Sequence, residues 1–141
     1  MKRNVKENIK MRKRIMNLLV VLLSVCFLVV GCGVTYNENN ENIQFVKQGT
    51  SRAYPNATTY GKAFDAFFDN PTWGYFVADT GEDVVEFTGN CFYDNVEVEA
   101  LIQFTLDKKA GTFEVNYVSF NDVTQNQLVV SALLEAIFEG Q

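Results

Sequence analysis

The chain contains no His. That removes together the commonest general base, the commonest metal ligand and the Ser/His and Cys/His nucleophile schemes. What remains for chemistry is carboxylates, a few cations and thiols. Cys91 sits among acidic neighbours, whereas a reactive thiolate needs a cation or a helix N-terminus beside it; it reads as a small hydrophobe on a strand. Asp79, Glu82 and Asp83 cluster in one loop and could offer oxygens to a calcium ion. Their spacing is not that of an EF-hand loop, so no metal and no cofactor is expected. Glu97 and Glu99 lie two apart, with Glu86 or Glu114 able to sit across from them. Facing carboxylates can hydrolyse a glycan, but a solvated acidic sheet face gives the same pattern. Of the aromatics Tyr54, Tyr60, Trp73, Tyr75, Phe92 and Phe120, the three that fall off the core faces are Tyr75, Phe92 and Phe120. They are the expected apolar patch for a protein partner.

One further thiol has a chemical setting of its own. Leu18–Val30 is an apolar run of 13 residues behind a cationic segment, and it ends at Gly31-Cys32. A secretory signal has this order: a positive n-region, an apolar h-region of ~7–15 residues and a small-residue cleavage site. Met11 is an alternative start to Met1, leaving Met-Arg-Lys-Arg before the apolar run. A spanning helix needs ~20 apolar residues, and Asn17 interrupts extension backward. The ending Val29-Val30-Gly31-Cys32 resembles a bacterial lipobox. That resemblance implies diacylglycerol transfer to the Cys32 thiol, cleavage before it, and a domain held on the outer face of the cell membrane. An uncleaved signal anchor would also leave the domain outside, because the positive leader stays in.

Charge divides the chain at the same place. Residues 1–31 carry seven basic groups and one acid, whereas the rest carries five basic against sixteen acidic groups, a net of −11. So acidic a domain argues against nucleic acid, whose phosphates need a basic face, and against lying flat on an anionic bilayer. With Cys91 the single thiol after Cys32, no internal disulfide between free thiols is available, and stability must come from a core.

The elements that position these residues follow from periodicity. Residues 33–42 are Asn-rich, acidic and nearly free of aliphatics; such composition predicts a flexible tether, with the folded domain spanning 43–141 and Ile43–Val46 beginning it as a short strand or packed arm. Tyr60, Ala63, Phe64, Phe67 and Phe68 form a helical stripe behind the N-cap candidate Thr59, and Asn70-Pro71 stops it. Four strands are then expected: 73–78, 84–93, 96–106 and 112–120. The third is the clearest, alternating Val96, Val98, Ala100, Ile102, Phe104 and Leu106 with mostly polar residues. Gly89 reads as a bulge and Asp94-Asn95 as a two-residue hairpin turn. Phe113, Val115 and Tyr117 should face inward on the fourth strand, although Val118 and Phe120 break its alternation. A last helix over 125–138 carries the stripe Val130, Leu133, Leu134, Ile137 and Phe138, with capping-box spacing at 124–127. The expected fold is α+β: a helix, a four-stranded antiparallel meander and a C-terminal helix, both helices on one sheet face. Cystatin-like, NTF2-like and small periplasmic inhibitor layouts share this order, and fold likeness carries no function.

Tyr54-Pro55-Asn56, the run Thr59–Phe68, Trp73 with Phe76, and Val85-Glu86-Phe87-Thr88-Gly89 resemble an uncharacterised family of small secreted or membrane-tethered domains of Gram-positive bacteria. The resemblance covers about 46–138 and includes Phe120–Val123. It implies a shared fold and a surface location, with no activity. Where members of that family carry Glu, Lys62 stands here, which leaves a capping box incomplete. Three readings are therefore in play: a lipid-anchored, non-catalytic binding or accessory module; a carboxylate hydrolase acting on wall polymers; and a solute-binding lipoprotein with a pocket between the first helix and the sheet.

Overall fold

The computed structural model describes residues 33–140. The leader and the lipid-acceptor candidate Cys32 lie outside the described residues. Three helices and a five-stranded antiparallel sheet make an α+β fold. Helices α1 (Glu41–Gln48) and α2 (Tyr60–Phe67) precede the strands β1 (Asp69–Val77), β2 (Asp83–Tyr93), β3 (Val96–Asp107), β4 (Thr112–Phe120) and β5 (Val123–Thr124). Helix α3 (Gln127–Glu139) closes the chain. The sheet is a pure meander in the order β1-β2-β3-β4-β5, so every connection is local.

Alternation sends one face of each long strand into the core. Val85, Phe87 and Cys91 from β2 join Val98, Ala100, Ile102, Phe104 and Leu106 from β3 there. Three helices supply the opposing layer: Ile43 and Val46 from α1, Ala63 and Phe64 from α2, and Val130, Leu133, Ile137 and Phe138 from α3. The centre is aromatic. Phe64 is fully buried, with ring centroids 4.9 Å from Phe87, 5.6 Å from Trp73 and 5.8 Å from Phe104. The Phe64–Phe87 pair is edge-to-face and the other two are tilted, and such ring pairs add to the area term. Among the described residues no helix covers the opposite sheet face, as antiparallel sheets permit.

Several expectations are corrected. The sheet has five strands, not four. Asn121 and Asp122 both take positive φ, 45° and 66°, as the two central residues of a type I′ turn do, and they fold Val123 back onto Phe120. Asp94 and Asn95 do the same between β2 and β3, at φ 50° and 62°. The fourth strand's broken alternation is a bulge. Gln103 pairs with Tyr117 but Phe104 pairs with Val115, leaving Asn116 as the extra residue. Its Nδ2 donates to Thr105 Oγ1 at 3.2 Å. The bulge flips the phase, so Tyr117 leaves the core face while Val118 and Phe120 enter it. Gly89 does sit at an irregularity: its pairing with Ala100 is in continuous register, but on the β1 side Asp69 pairs with Asn90 and Thr72 with Thr88, so the extra residue is on β1, opposite Gly89. Its missing side chain makes room for α2: a Cβ there would meet Phe68 Cβ at 2.8 Å.

The N-terminal boundary also moves. The Asn-rich stretch is built, not loose. Asn40 caps α1, its side chain accepting from the backbone N–H groups of Asn42 and Ile43 at 2.9 and 3.4 Å. The backbone N–H of Asn40 donates to the carbonyl of Asn37 at 2.8 Å. Upstream, Thr35 exchanges two backbone hydrogen bonds with Tyr75, at 2.8 and 3.0 Å, extending the sheet beyond β1. The helix over 43–46 replaces the strand or arm expected there. The C-terminal helix is capped by Asn126, which accepts from Leu128 and Val129 N–H, rather than by a box at Thr124, which belongs to β5.

Candidate functional site

The three aromatics singled out from the sequence part company. Phe120 is buried at 4 % exposure, because the Asn116 bulge turns it inward, and its ring lies 5.1 Å from that of Tyr93. It is not a surface residue. Tyr75 is half-buried; its main chain is bridged by Thr35 and its hydroxyl donates to Asp83 Oδ1. Phe92 alone is open, at 72 % exposure.

Phe92 points to the open face of the sheet, and the same end exposes apolar residues on the core face that sequence reasoning missed. Tyr93 and Val96 flank the β2–β3 turn and are 47 % and 61 % exposed, and Val123, paired with Phe120 beside them, is 65 % exposed. Leu128 stands open in the first turn of α3. Pattern reasoning assigned Tyr93 and Val96 to the core face, and they do lie on it. The strands simply run past the end of the helical layer. Acids rim this apolar tip: Asp94 in the turn, Glu97 and Glu99 on β3, and Asp122 in the β4–β5 turn. The sheet end is held firm. Asn121 Oδ1 accepts from the Glu99 N–H, and the Asn121 N–H donates to the Glu99 carbonyl, both at 2.9 Å.

Glu86, Glu97 and Glu99 are strung along the open sheet face, whereas Glu114 lines a cleft at its other end. Glu86 accepts from Gln103 Nε2 at 2.8 Å and Glu97 from Asn90 Nδ2 at 3.2 Å. Gln103, opposite Glu86, is four residues from Glu99 on β3, which is ~13 Å at the rise of a strand. Glu86 and Glu99 are thus too far apart to act as a facing pair, for which ~5–9.5 Å is needed. Of the loop acids, Asp83 is taken by Tyr75 and by Lys108, whose Nζ is 3.0 Å away, and Glu82 accepts from Thr80 Oγ1 at 2.8 Å. These bonds hold the Asp83 carboxyl below the ordinary carboxylate range, the Tyr75 hydroxyl being the larger cause and Lys108 the next. The same bond pushes Tyr75 up to about 12, with desolvation and the Asp83 charge adding to it. Asp79 joins neither residue in a ligand set. Among the described residues no three His, Cys, Asp or Glu side chains converge on a point that would hold a metal.

The space between the middle of α2 and the sheet is filled by Phe64, Phe87, Phe104 and Trp73. Burial pushes the Cys91 thiol up, the reverse of what a nucleophile needs. One broad cleft, of about 1210 Å³, opens beside the aromatic packing, between the 49–54 loop, the start of α2 at Tyr60, the β3–β4 turn and α3. Its lining mixes Arg52, Lys108 and Lys109 with Glu82, Asp107 and Glu114, and no set of like groups points to one ligand. Among the described residues no helix is long and apolar enough to cross a membrane.

No family model matches the chain, and no curated protein and no solved structure is significantly similar to it.

Proposed function

We propose that the chain is a lipid-anchored extracellular lipoprotein whose folded domain is a non-catalytic binding module, docking a protein partner at the β2–β3 tip. The observation that carries the binding site is that one end of the sheet exposes apolar side chains on both of its faces, Phe92 on the open face and Tyr93, Val96 and Val123 on the core face, beyond an aromatic-filled core. Interfaces are enriched in aromatic side chains that sit ready on a rigid scaffold. The acid rim favours a partner with an apolar contact and basic surroundings, and it disfavours a second copy of the same tip. The anchor rests on the cationic leader, the apolar run and the Val29–Cys32 motif, and on the surface location implied by the family resemblance.

A photocrosslinking residue at Phe92, in the full chain on intact cells, tests the binding site. The expected result is one dominant protein adduct, lost when the crosslinker is moved to Lys62 on α2. Once that partner is in hand, Phe92→Ala weakens its binding by ~2 kcal/mol, roughly thirty-fold. Absence of an adduct, together with hydrolysis of cell-wall fragments by the purified protein, would overturn the reading. Mass analysis of the native amino end tests the anchor: lipidated Cys32 is expected, and an intact leader counts against it.

A further inference from the structure

The residues just after the proposed lipid site do not hang free. Thr35 is fastened to Tyr75 by two main-chain hydrogen bonds. Its neighbours lie over Gly74: a Cβ on that glycine would meet Val34 Cγ1 at 2.4 Å and Tyr36 Cε1 at 3.1 Å. Gly74 is thus a socket that keeps the strap flat on the sheet. The Asn37–Asn40 turn locks its far end, with Asn39 N–H on Asn37 Oδ1 at 3.0 Å and Gln44 Nε2 on the Glu38 carbonyl at 2.7 Å. A chain of this composition reads as about ten residues of slack, and the structure leaves only Gly33 between residue 32 and the fastened segment.

The strap runs antiparallel to β1, so going back from Thr35 towards Gly33 leads past Phe76 and Val77 to the β1–β2 turn. The β3–β4 turn lies at that same end of the sheet, since Asp83 pairs with Leu106 and Asp107 with Thr112. The β2–β3 tip lies at the other end, ~36 Å away along the twelve residues of β3. Charge distinguishes the two ends. The two turns at 78–83 and 107–112, with Arg52 beside them across the cleft, hold four acids against three bases. The rest of residues 33–140 holds twelve acids against two bases. Only the first end can approach an anionic headgroup layer without strong repulsion.

We infer that the β1–β2 and β3–β4 turns form a foot that rests on lipid headgroups, so that the strap stands the domain upright with its apolar tip directed away from the bilayer. This rests on the lipid-anchor reading. From residue 32 to Val34 the chain reaches at most ~7 Å, too little to let the domain roll over and present its tip to the membrane. Lys109 and Arg52 are the cations this end offers to headgroups at short range, Lys108 being paired with Asp83, and the lipid supplies the affinity.

The test uses the full chain, expressed as the native membrane protein and reconstituted in vesicles that contain anionic lipid and a headgroup-linked quencher. Cys91→Ala serves as the background, and a fluorophore is placed at Lys109→Cys or at Phe92→Cys. The label at 109 should be quenched several-fold more than the label at 92. Inserting a flexible Gly/Ser segment of about ten residues between Gly33 and Val34, with a mean reach of ~17 Å, leaves the fold untouched and should abolish most of the difference. Gly74→Leu should reduce it by displacing the strap. Equal quenching at the two positions of a protein that does sediment with vesicles overturns the upright foot and leaves the anchor standing. Failure to sediment overturns the anchor and the foot together.

Discussion

Tyr75 joins three parts of the molecule through one residue. Its main chain receives Thr35 and its hydroxyl donates to Asp83, which Lys108 also holds from the β3–β4 turn. Of the six tyrosines, this one should ionise at about 12, the hydrogen bond to Asp83 being the first cause. A tyrosinate absorbance titration should therefore show a late component that vanishes in Tyr75→Phe. The linkage has a definite sign. Tyr75 is raised in the fold, so its contribution is present below the ordinary tyrosine range and is lost as pH rises through about 12. Asp83 is lowered, so its contribution is present above the ordinary carboxylate range and fades as pH falls through the depressed value. Both are only part-buried, so the stabilisation is modest. Phe64 lies at the other extreme. Fully buried among Phe87, Trp73 and Phe104, it should lose ~3–5 kcal/mol on change to Ala, a large part of a typical domain's ~5–15 kcal/mol. Urea unfolding followed at Trp73 measures this.

Helix starts show how much of each element is legible before folding. Thr59 precedes α2 but makes no side-chain cap bond, while Asn40 and Asn126 each accept from two N–H groups. Asn40→Ala and Asn126→Ala should each cost ~1 kcal/mol, whereas Thr59→Ala should stay within ~0.5 kcal/mol; thermal melts of the three variants decide it. The stripes of α2 and α3 and the alternation of β3 were readable because burial on one face imposes a period on apolar residues. Helix α1 was not, because its sequence ENIQFVKQ buries only Asn42, Ile43 and Val46, too sparse a pattern for the eye. The fifth strand is two residues long, with no period to read. Its one signal is Asn121-Asp122, the mirror of the Asp94-Asn95 pair that reads as a turn. Inward Phe120 was lost to the same cause: a single extra residue at Asn116 reverses the faces downstream. That predicts an asymmetry under deletion. Removing Asn116 leaves Val115 and Val118 on the core face and should preserve near-ultraviolet circular dichroism, whereas removing Glu114 places Phe113 on the wrong face and should abolish it.

At the scale of the whole molecule, the missing imidazole becomes a measurable property. Without His, and with the Cys91 thiol pushed up by burial, residues 33–140 hold no side chain of a kind that ordinarily changes charge between about pH 6 and 8.5. The melting temperature should be flat across that window and fall only on the acid and strongly alkaline sides. A slope inside it would mean an unrecognised titrating group. The candidate site was half legible. Phe92 could be seen as off-core, but its neighbours Tyr93 and Val96 obeyed the core pattern, and only the length of the helical layer exposes them.

The short segment fastened along β1 has a consequence for how this protein must be handled. A sheet margin with bare N–H and C=O groups is a template for another chain. At one margin β5 is only two residues long; at the other, Thr35 occupies the Tyr75 main chain. A recombinant version trimmed to begin at Asn37 would uncover that margin, and light scattering should then report slow self-association that the version beginning at Gly33 does not show.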